Sequence, residues 1–254
     1  VGQTAASLEA TERRTAIEEI VSRAGFAQVA DLAQHFGRDT STIRRDLDAL
    51  EGQGRVRRIH GGAVPADDAR TPEQTVAAQE ARIAAAVADS VADGETVCLG
   101  PGRLPLATAK ALASKAGLTV ITNGLEIAHW LAAHTDHNVI VTGGQLERAD
   151  LGLAGQMVRS ALAGLRAERV ILEAGGVSAV GGVTDDSLSQ AEIARMLLGT
   201  GSEIIVAVPP NRVGRVAAVH VADVSDVDVV VTAREAPSPH LWDLSELGVR
   251  IVLA

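Results

Sequence analysis

The chain has 254 residues, room for one or two domains at about 150 residues each, and its 46% hydrophobic and 22% charged residues are globular usage that excludes wholesale disorder. No apolar run approaches the roughly 18 residues of a membrane span, no basic-then-apolar leader predicts export, and a lone cysteine, Cys98, excludes an internal disulfide and suits a reducing cytoplasm. The net charge of −9 falls wholly after residue 64, because the first 64 residues hold nine Arg and nine Asp or Glu; a nucleic-acid partner for that first part is therefore not excluded, although 2% aromatics make a single-strand stacking platform improbable.

Taken in order, residues 1–11 are small and weakly patterned and read as a loose arm. Three short helical patterns follow. The first has Thr11 as N-cap, Ile17, Ile20 and Val21 on one face, and Gly25 past its end. The second spaces Val29, Leu32, Ala33 and Phe36 helically and stops at Gly37, which supplies a tight turn. The third is capped by Asp39, turns Ile43, Leu47 and Leu50 inward, and ends at Gly52 to Gly54. Arg55 to Val64 then reads as a hairpin turning at Gly61-Gly62.

Three helices and a glycine-tipped hairpin, over 12–64, make a winged helix-turn-helix pattern. The third helix leaves Thr40, Ser41, Thr42, Arg44 and Arg45 at the end that enters a major groove, where an Arg fork matches guanine and hydroxyls suit phosphate oxygens. Arg57, Arg58 and His60 put positive charge on the wing, along the DNA backbone or minor groove.

Residues 65–78, polar and with two prolines in PADDARTPEQT, read as a linker to a second domain over 79–254. There, apolar runs at Thr96–Leu99, Thr119–Thr122, Val139–Thr142, Val170–Leu172, Ile204–Val208, Val227–Thr232 and Val249–Leu253 alternate with helix-length segments at Gln79–Ala92, Leu106–Ala116, Leu125–Ala133, Met157–Leu165 and Leu188–Leu198. Such alternation of Val/Ile strands with helices predicts an α/β body around a mostly parallel sheet. Glycine corners follow its strands at Gly100-Pro101-Gly102, Asn123-Gly124, Gly143-Gly144 and Gly175-Gly176. Ligands of parallel sheets sit at such corners, and the helix N-terminus beside Arg103 suits a phosphate.

The run DLAQHFGRDTSTIRRDLDALEGQGRVRRIHGGAV, Asp31 to Val64, resembles the signature of the DeoR family of bacterial transcription regulators, with its T-I-R-R-D-L reading helix and R-R-x-H-G-G-A wing. The resemblance continues through Val120-Ile121-Thr122-Asn123, Gly143-Gly144, Gly181-Gly182-Val183-Thr184 and Gln190–Arg195, and covers about residues 12–254. It implies a sugar-phosphate-sensing body of the fold type of ribose-phosphate isomerases. Three places depart from the family pattern. Gly100-Pro101-Gly102-Arg103-Leu104 stands for an Asp-x-Gly-Thr-Thr-like loop, Gly175 for an Asp, and Pro209-Pro210-Asn211-Arg212 for Asp-Ser-x-Lys. The effector candidates that remain are Gly102, Arg103, Asn123, Gly143, Gly144, Glu173, Gly176, Asp185 and Arg212, with Asp186 and Glu192 as further charged groups, and they suit an altered effector, more anionic or less hydroxylated.

No catalytic, cofactor or metal site is expected. Arg212 and Pro209 occupy the positions where the resemblance implies an enzyme's Lys and Asp, and no G-x-S-x-G, dinucleotide or Walker loop occurs. His129, His134 and His137 lack the i, i+4 spacing of a helical zinc site; Asp223, Asp226 and Asp228 read as a strand lead-in. Cys98 reads as an inert buried thiol, and Trp130 and Trp242 as packing residues. The expectation is a cytoplasmic, sequence-specific repressor of double-stranded operator DNA. It would act as a homodimer or higher oligomer, controlled by a small metabolite, phosphorylated or not. The alternatives are a sugar-phosphate isomerase or deaminase with an accessory winged helix, and a regulator without an effector.

Overall fold

The computed structural model describes residues 10–59, 61–66 and 72–254. It divides between Gln74 and Thr75 into two compact units. The first contains α1 (Ala10–Ala24), β1 (Ala27–Gln28), α2 (Val29–Phe36), α3 (Thr40–Gly52), β2 (Val56–Ile59) and β3 (Gly62–Pro65). The expected helical rows make its core: Ile17 and Val21 of α1, Leu32 and Phe36 of α2, and Ile43, Leu47 and Leu50 of α3 are all buried together. Gly37 closes α2 at φ 59°, a conformation that suits glycine, and the Arg38 N–H folds back onto the Ala33 carbonyl at 2.9 Å. Thr11 is not an N-cap. The helix already includes Ala10, and the Thr11 carbonyl accepts from the Thr15 hydroxyl one turn on, at 3.2 Å.

The wing is a three-stranded antiparallel sheet, in the order β1-β3-β2. Arg57 pairs with Val64 and Arg58 with Ala63. The third strand, β1, is only two residues long, too short for any periodicity in the sequence, and it pairs Ala27 with Ala63 and Gln28 with Gly62.

The second unit runs α4 (Pro72–Asp89), β4 (Thr96–Leu99), α5 (Arg103–Ala111), β5 (Thr119–Thr122), α6 (Leu125–His134), β6 (Asn138–Val141), β7 (Gln145–Leu146), β8 (Leu153–Ala154), α7 (Gln156–Ala163), β9 (Ala167–Glu173), β10 (Gly176–Ser178), β11 (Gly182–Asp185), α8 (Leu188–Leu198), β12 (Gly201–Ala207), β13 (Val219–Ala222), β14 (Val229–Thr232), α9 (Ser238–Glu246) and β15 (Arg250–Leu253). Seven of these strands form one sheet in the order β15-β14-β12-β9-β4-β5-β6, parallel throughout. They are the seven apolar runs of the sequence. Period-2 alternation sends Val97, Leu99, Ile171 and Ile205 to a core with α4, α5 and α6. Cys98, Val170, Leu172 and Val206 go to a second core with α7, α8 and α9. Burial pushes the Cys98 thiol up to about 12, so it stays protonated and inert.

Four differences from the sequence reading bear on the site. The helix expected from Gln79 begins at Pro72, a residue preorganised for a first helical turn, within the stretch read as linker. The helix expected from Leu106 begins at Arg103, so Gly102 is the residue immediately before it. A three-stranded antiparallel sheet, β10-β11-β13, flanks the main one where only glycine corners were read. Trp242 is not a packing residue: it is 68% exposed on α9 and donates through Nε1 to Glu246 at 3.0 Å. No described helix is long and apolar enough to cross a membrane.

Candidate nucleic-acid interface and ligand site

The reading helix α3 starts on a dense cap. Asp39 Oδ1 accepts from the Ser41 hydroxyl at 2.6 Å and from the Thr42 N–H at 2.7 Å, while Oδ2 accepts from the Thr42 hydroxyl at 3.1 Å. These bonds, the Ser41 hydroxyl foremost, hold the Asp39 carboxyl down at about 2. The hydroxyls of Ser41 and Thr42, expected to hold phosphate, instead donate to the Asp39 carboxylate at the exposed start of the helix. Thr40, Arg44 and Arg45 are exposed, and among the described residues the two arginine side chains have no hydrogen-bond or ion-pair partner.

One residue of the same helix had no role in the sequence reading. Asp46 is buried, 2% exposed, and accepts Nε of Arg13 at 2.6 Å and Nε of Arg14 at 2.9 Å, both from α1. The signal lay in the spacing: Ile43, Asp46, Leu47 and Leu50 form one buried stripe, and a carboxylate in an apolar stripe requires a cation from another element. The pair ties α3 to α1 and fixes how far Arg44 and Arg45 project.

On the wing, Arg58 is paired with Asp48 of α3, and its N–H donates to Glu51 Oε1 at 2.7 Å. Arg55 is paired with Glu18 of α1. Arg57 is half-buried, and as successive strand residues Arg57 and Arg58 face opposite sides of the hairpin. His60 lies outside the described residues.

In the body, a cavity of about 410 Å³ opens where the 100–103 corner meets the start of α6 and the 148–151 turn. Gly102 and Arg103 line it; Glu126, Arg148 and Asp150, which sequence reasoning missed, supply its other charges. Arg103 is exposed and reaches Glu80 at 3.0 Å. The fully buried Asn123 donates Nδ2–H to the Leu153 carbonyl at 3.0 Å, and its Oδ1 has no partner among the described residues. Beside the cavity, Glu173 Oε2 accepts the Leu104 N–H of α5 at 2.9 Å and Oε1 accepts from Arg212 Nη1 at 2.7 Å. Gly102, Glu173 and Arg212 are therefore one cluster.

The other candidates lie elsewhere. Gly144 packs against Ala154 and Val158, and Gly143 against Met157, where they let the chain turn at φ 133° and 70° into β7. Gly176 faces the Arg215 carbonyl, so close that a Cβ would stand 2.4 Å away. Asp185 Oδ1 accepts the Ser187 N–H at 2.9 Å ahead of α8. Its neighbour Asp186 is held below the usual carboxylate range by the Arg215 guanidinium, whose Nη2 donates at 2.7 Å. Among the described residues, no group of three His, Cys, Asp or Glu side chains is placed to hold a metal ion.

Comparison with known proteins assigns both units. Residues 13–69 match the model of a DeoR-like helix-turn-helix domain, and residues 75–234 that of a DeoR C-terminal sensor domain. The glycerol-3-phosphate regulon repressor of Escherichia coli is 30% identical over 91% of this chain and 93% of its own length. The transcriptional repressor AccR of Agrobacterium fabrum is 29% identical over 87% and 88%, and the HTH-type transcriptional repressor CsqR of Escherichia coli 27% identical over 92% of each chain. Among solved structures, the full-length sorbitol operon regulator SorC of Klebsiella pneumoniae is 12% identical over 94% of this chain and 100% of its own, with a TM-score of 0.41.

Proposed function

The chain belongs to the DeoR family of transcription regulators, and from that premise we propose that it is a cytoplasmic repressor whose reading helix α3 selects an operator and whose body releases it on binding a metabolite. It is a sequence-specific DNA-binding regulator rather than an enzyme. The observation that carries the reading is the exposed pair Arg44 and Arg45, unpaired among the described residues on a helix fixed from behind by Asp46. An Arg fork against guanine is worth about 1–3 kcal/mol of discrimination against the wrong base. Arg58, the exposed one of the two wing arginines, contacts the DNA backbone, and Thr40 adds a hydroxyl at the groove.

One head makes too few contacts for a specific site, so the working species is a homodimer or higher oligomer, with two heads spanning half-sites about 34 Å apart or a multiple of that. The effector enters the cavity beside α5, where Arg103 and Arg148 receive its anionic group. The test is fluorescence anisotropy of the full chain on DNA from upstream of its own gene, with phosphorylated metabolites titrated in. Glycerol 3-phosphate comes first, after the name of the Escherichia coli relative. Salt-dependent binding to that DNA over a scrambled duplex, weakened by one metabolite, is expected; equal binding to both duplexes defeats the reading.

A further inference from the structure

The N-terminus of α5 already carries an anion, and the chain supplies it. Glu173 ends β9, the central strand of the sheet, and its carboxylate reaches under the first turn of α5 to accept the Leu104 N–H at 2.9 Å. Its other oxygen accepts from Arg212 Nη1 at 2.7 Å, and the same nitrogen donates to the Ala174 carbonyl at 2.9 Å. Gly102 makes the room: a Cβ there would stand 2.8 Å from Glu173 Oε2, at a φ of 125° that side chains rarely adopt. The Glu173 side chain is only 14% exposed, so the carboxylate is built into the corner rather than resting on it. Helix N-termini and guanidinium groups are what hold the oxygens of phosphates and carboxylates. Both are present here, and both are engaged.

We propose that Glu173 is a specificity-determining residue of the sensor: its carboxylate occupies the oxyanion position at the start of α5, so a ligand's phosphate or carboxylate is refused there and the part of the effector that reaches this corner is uncharged. A second anion would meet Glu173 at hydrogen-bonding range with the Leu104 amide already taken and the Arg212 charge already balanced. An anionic group on the effector is left to Arg103 and Arg148, which line the cavity. The inference rests on the effector reading for the ligand's position. Its test uses neither DNA nor effector, so the two fail separately.

The test follows thermal unfolding of the full chain during a titration with inorganic phosphate, against chloride at matched ionic strength. It compares the native chain with Glu173→Ala, Glu173→Gln and the double variant Glu173→Ala/Arg212→Ala. The native chain is expected to show only the weak phosphate response that Arg103 and Arg148 give. Glu173→Ala is expected to gain saturable stabilisation by phosphate, with half-saturation at least about tenfold below any native response, as fits the return of one charge-assisted site. Glu173→Gln keeps an acceptor for Leu104 but drops the charge and is expected to gain less, in the same direction. The double variant is expected to lose the gain. A native chain that binds phosphate as tightly as Glu173→Ala overturns the proposal, and so does a folded Glu173→Ala with no gain. Should the alanine variant not fold, Glu173→Gln decides by the same criterion.

Discussion

Asp46 on the reading helix and Arg13 on α1 form a buried ion pair at 2.6 Å, with side-chain exposures of 2% and 10%. Removing one partner of such a pair leaves an uncompensated buried charge, a loss of about 3–5 kcal/mol. Asp46→Ala is therefore expected to unfold the winged helix well before the body. Both tryptophans, Trp130 and Trp242, lie in the body, so their fluorescence reports that unit alone, while far-UV circular dichroism reports both. The native chain and the variant are expected to share one fluorescence transition in urea, with an earlier dichroism step only in the variant. Asp46→Asn, which keeps an acceptor for one arginine, is expected to fall between them.

The Arg58–Asp48 pair has the opposite character. Both side chains are exposed beyond a third, so it contributes little to stability, but it lowers the charge available to a DNA backbone. Asp48→Asn is expected to tighten binding to every duplex and to steepen the salt dependence by about one unit, as a released arginine engages one more phosphate. Arg58→Ala is expected to weaken all sequences alike. Arg44→Ala is expected instead to lose its preference between operator and scrambled DNA, by about 1–3 kcal/mol. Uniform loss across sequences for Arg44→Ala removes it from base reading.

The cap of α3 makes the head sensitive to acid. The Ser41 hydroxyl, then the Thr42 amide and hydroxyl, hold Asp39 at about 2 against 3.8 for a free carboxyl, so the folded state favours the ionised form. Such a group contributes stability that is fully present above about pH 4 and is lost as pH falls through about 2. The helical dichroism of the native chain is expected to lose urea resistance across that window. Asp39→Asn is expected to start lower and to change less over the same range. Parallel acid limbs for the two chains contradict the assignment.

What the sequence carried well was whatever is repeated along a single element. The run Ile204 to Val208 declares a strand buried on both faces by itself, and six others like it declare the sheet. Leu32, Phe36, Ile43 and Leu47 declare the helices of the head in the same way. Pairings between distant segments left no such trace. Strands β10 and β11 have three and four residues, each opening with glycine, so their ladder exists only because the two fold onto each other. Glu173 meets Leu104 across 69 positions and Arg212 across 39, and nothing near any of the three announces the others. The cavity beside them takes Arg148 and Asp150 from a turn without pattern. A helix N-terminus read as open to a phosphate was closed by a side chain from another strand.

Gly61 and Gly62 are adjacent at the wing, yet they are glycines for different reasons, and substitution separates them. Gly61 sits at φ 82° with open space where a Cβ would point. Alanine there meets only the left-handed backbone penalty, about 1–2 kcal/mol, and asparagine less. Gly62 is not in that region, but a Cβ on it would stand 2.3 Å from the Ala27 carbonyl oxygen and 2.5 Å from the Phe26 ring. Backbone cannot yield as a side-chain tip does, so Gly62→Ala has to part β1 from β3, giving up the Ala27–Ala63 and Gln28–Gly62 pairings that dock the wing on the helices. Gly61→Asn is expected to melt close to the native chain, Gly61→Ala a few degrees lower, and Gly62→Ala lowest. Gly62→Ala alone is expected to lose amide protection in hydrogen exchange at Ala27 and Val29, the alternate positions whose N–H groups face β3, and with it operator affinity. If the two alanine variants melt together with β1 still protected, the close approach at Gly62 is not what holds the wing.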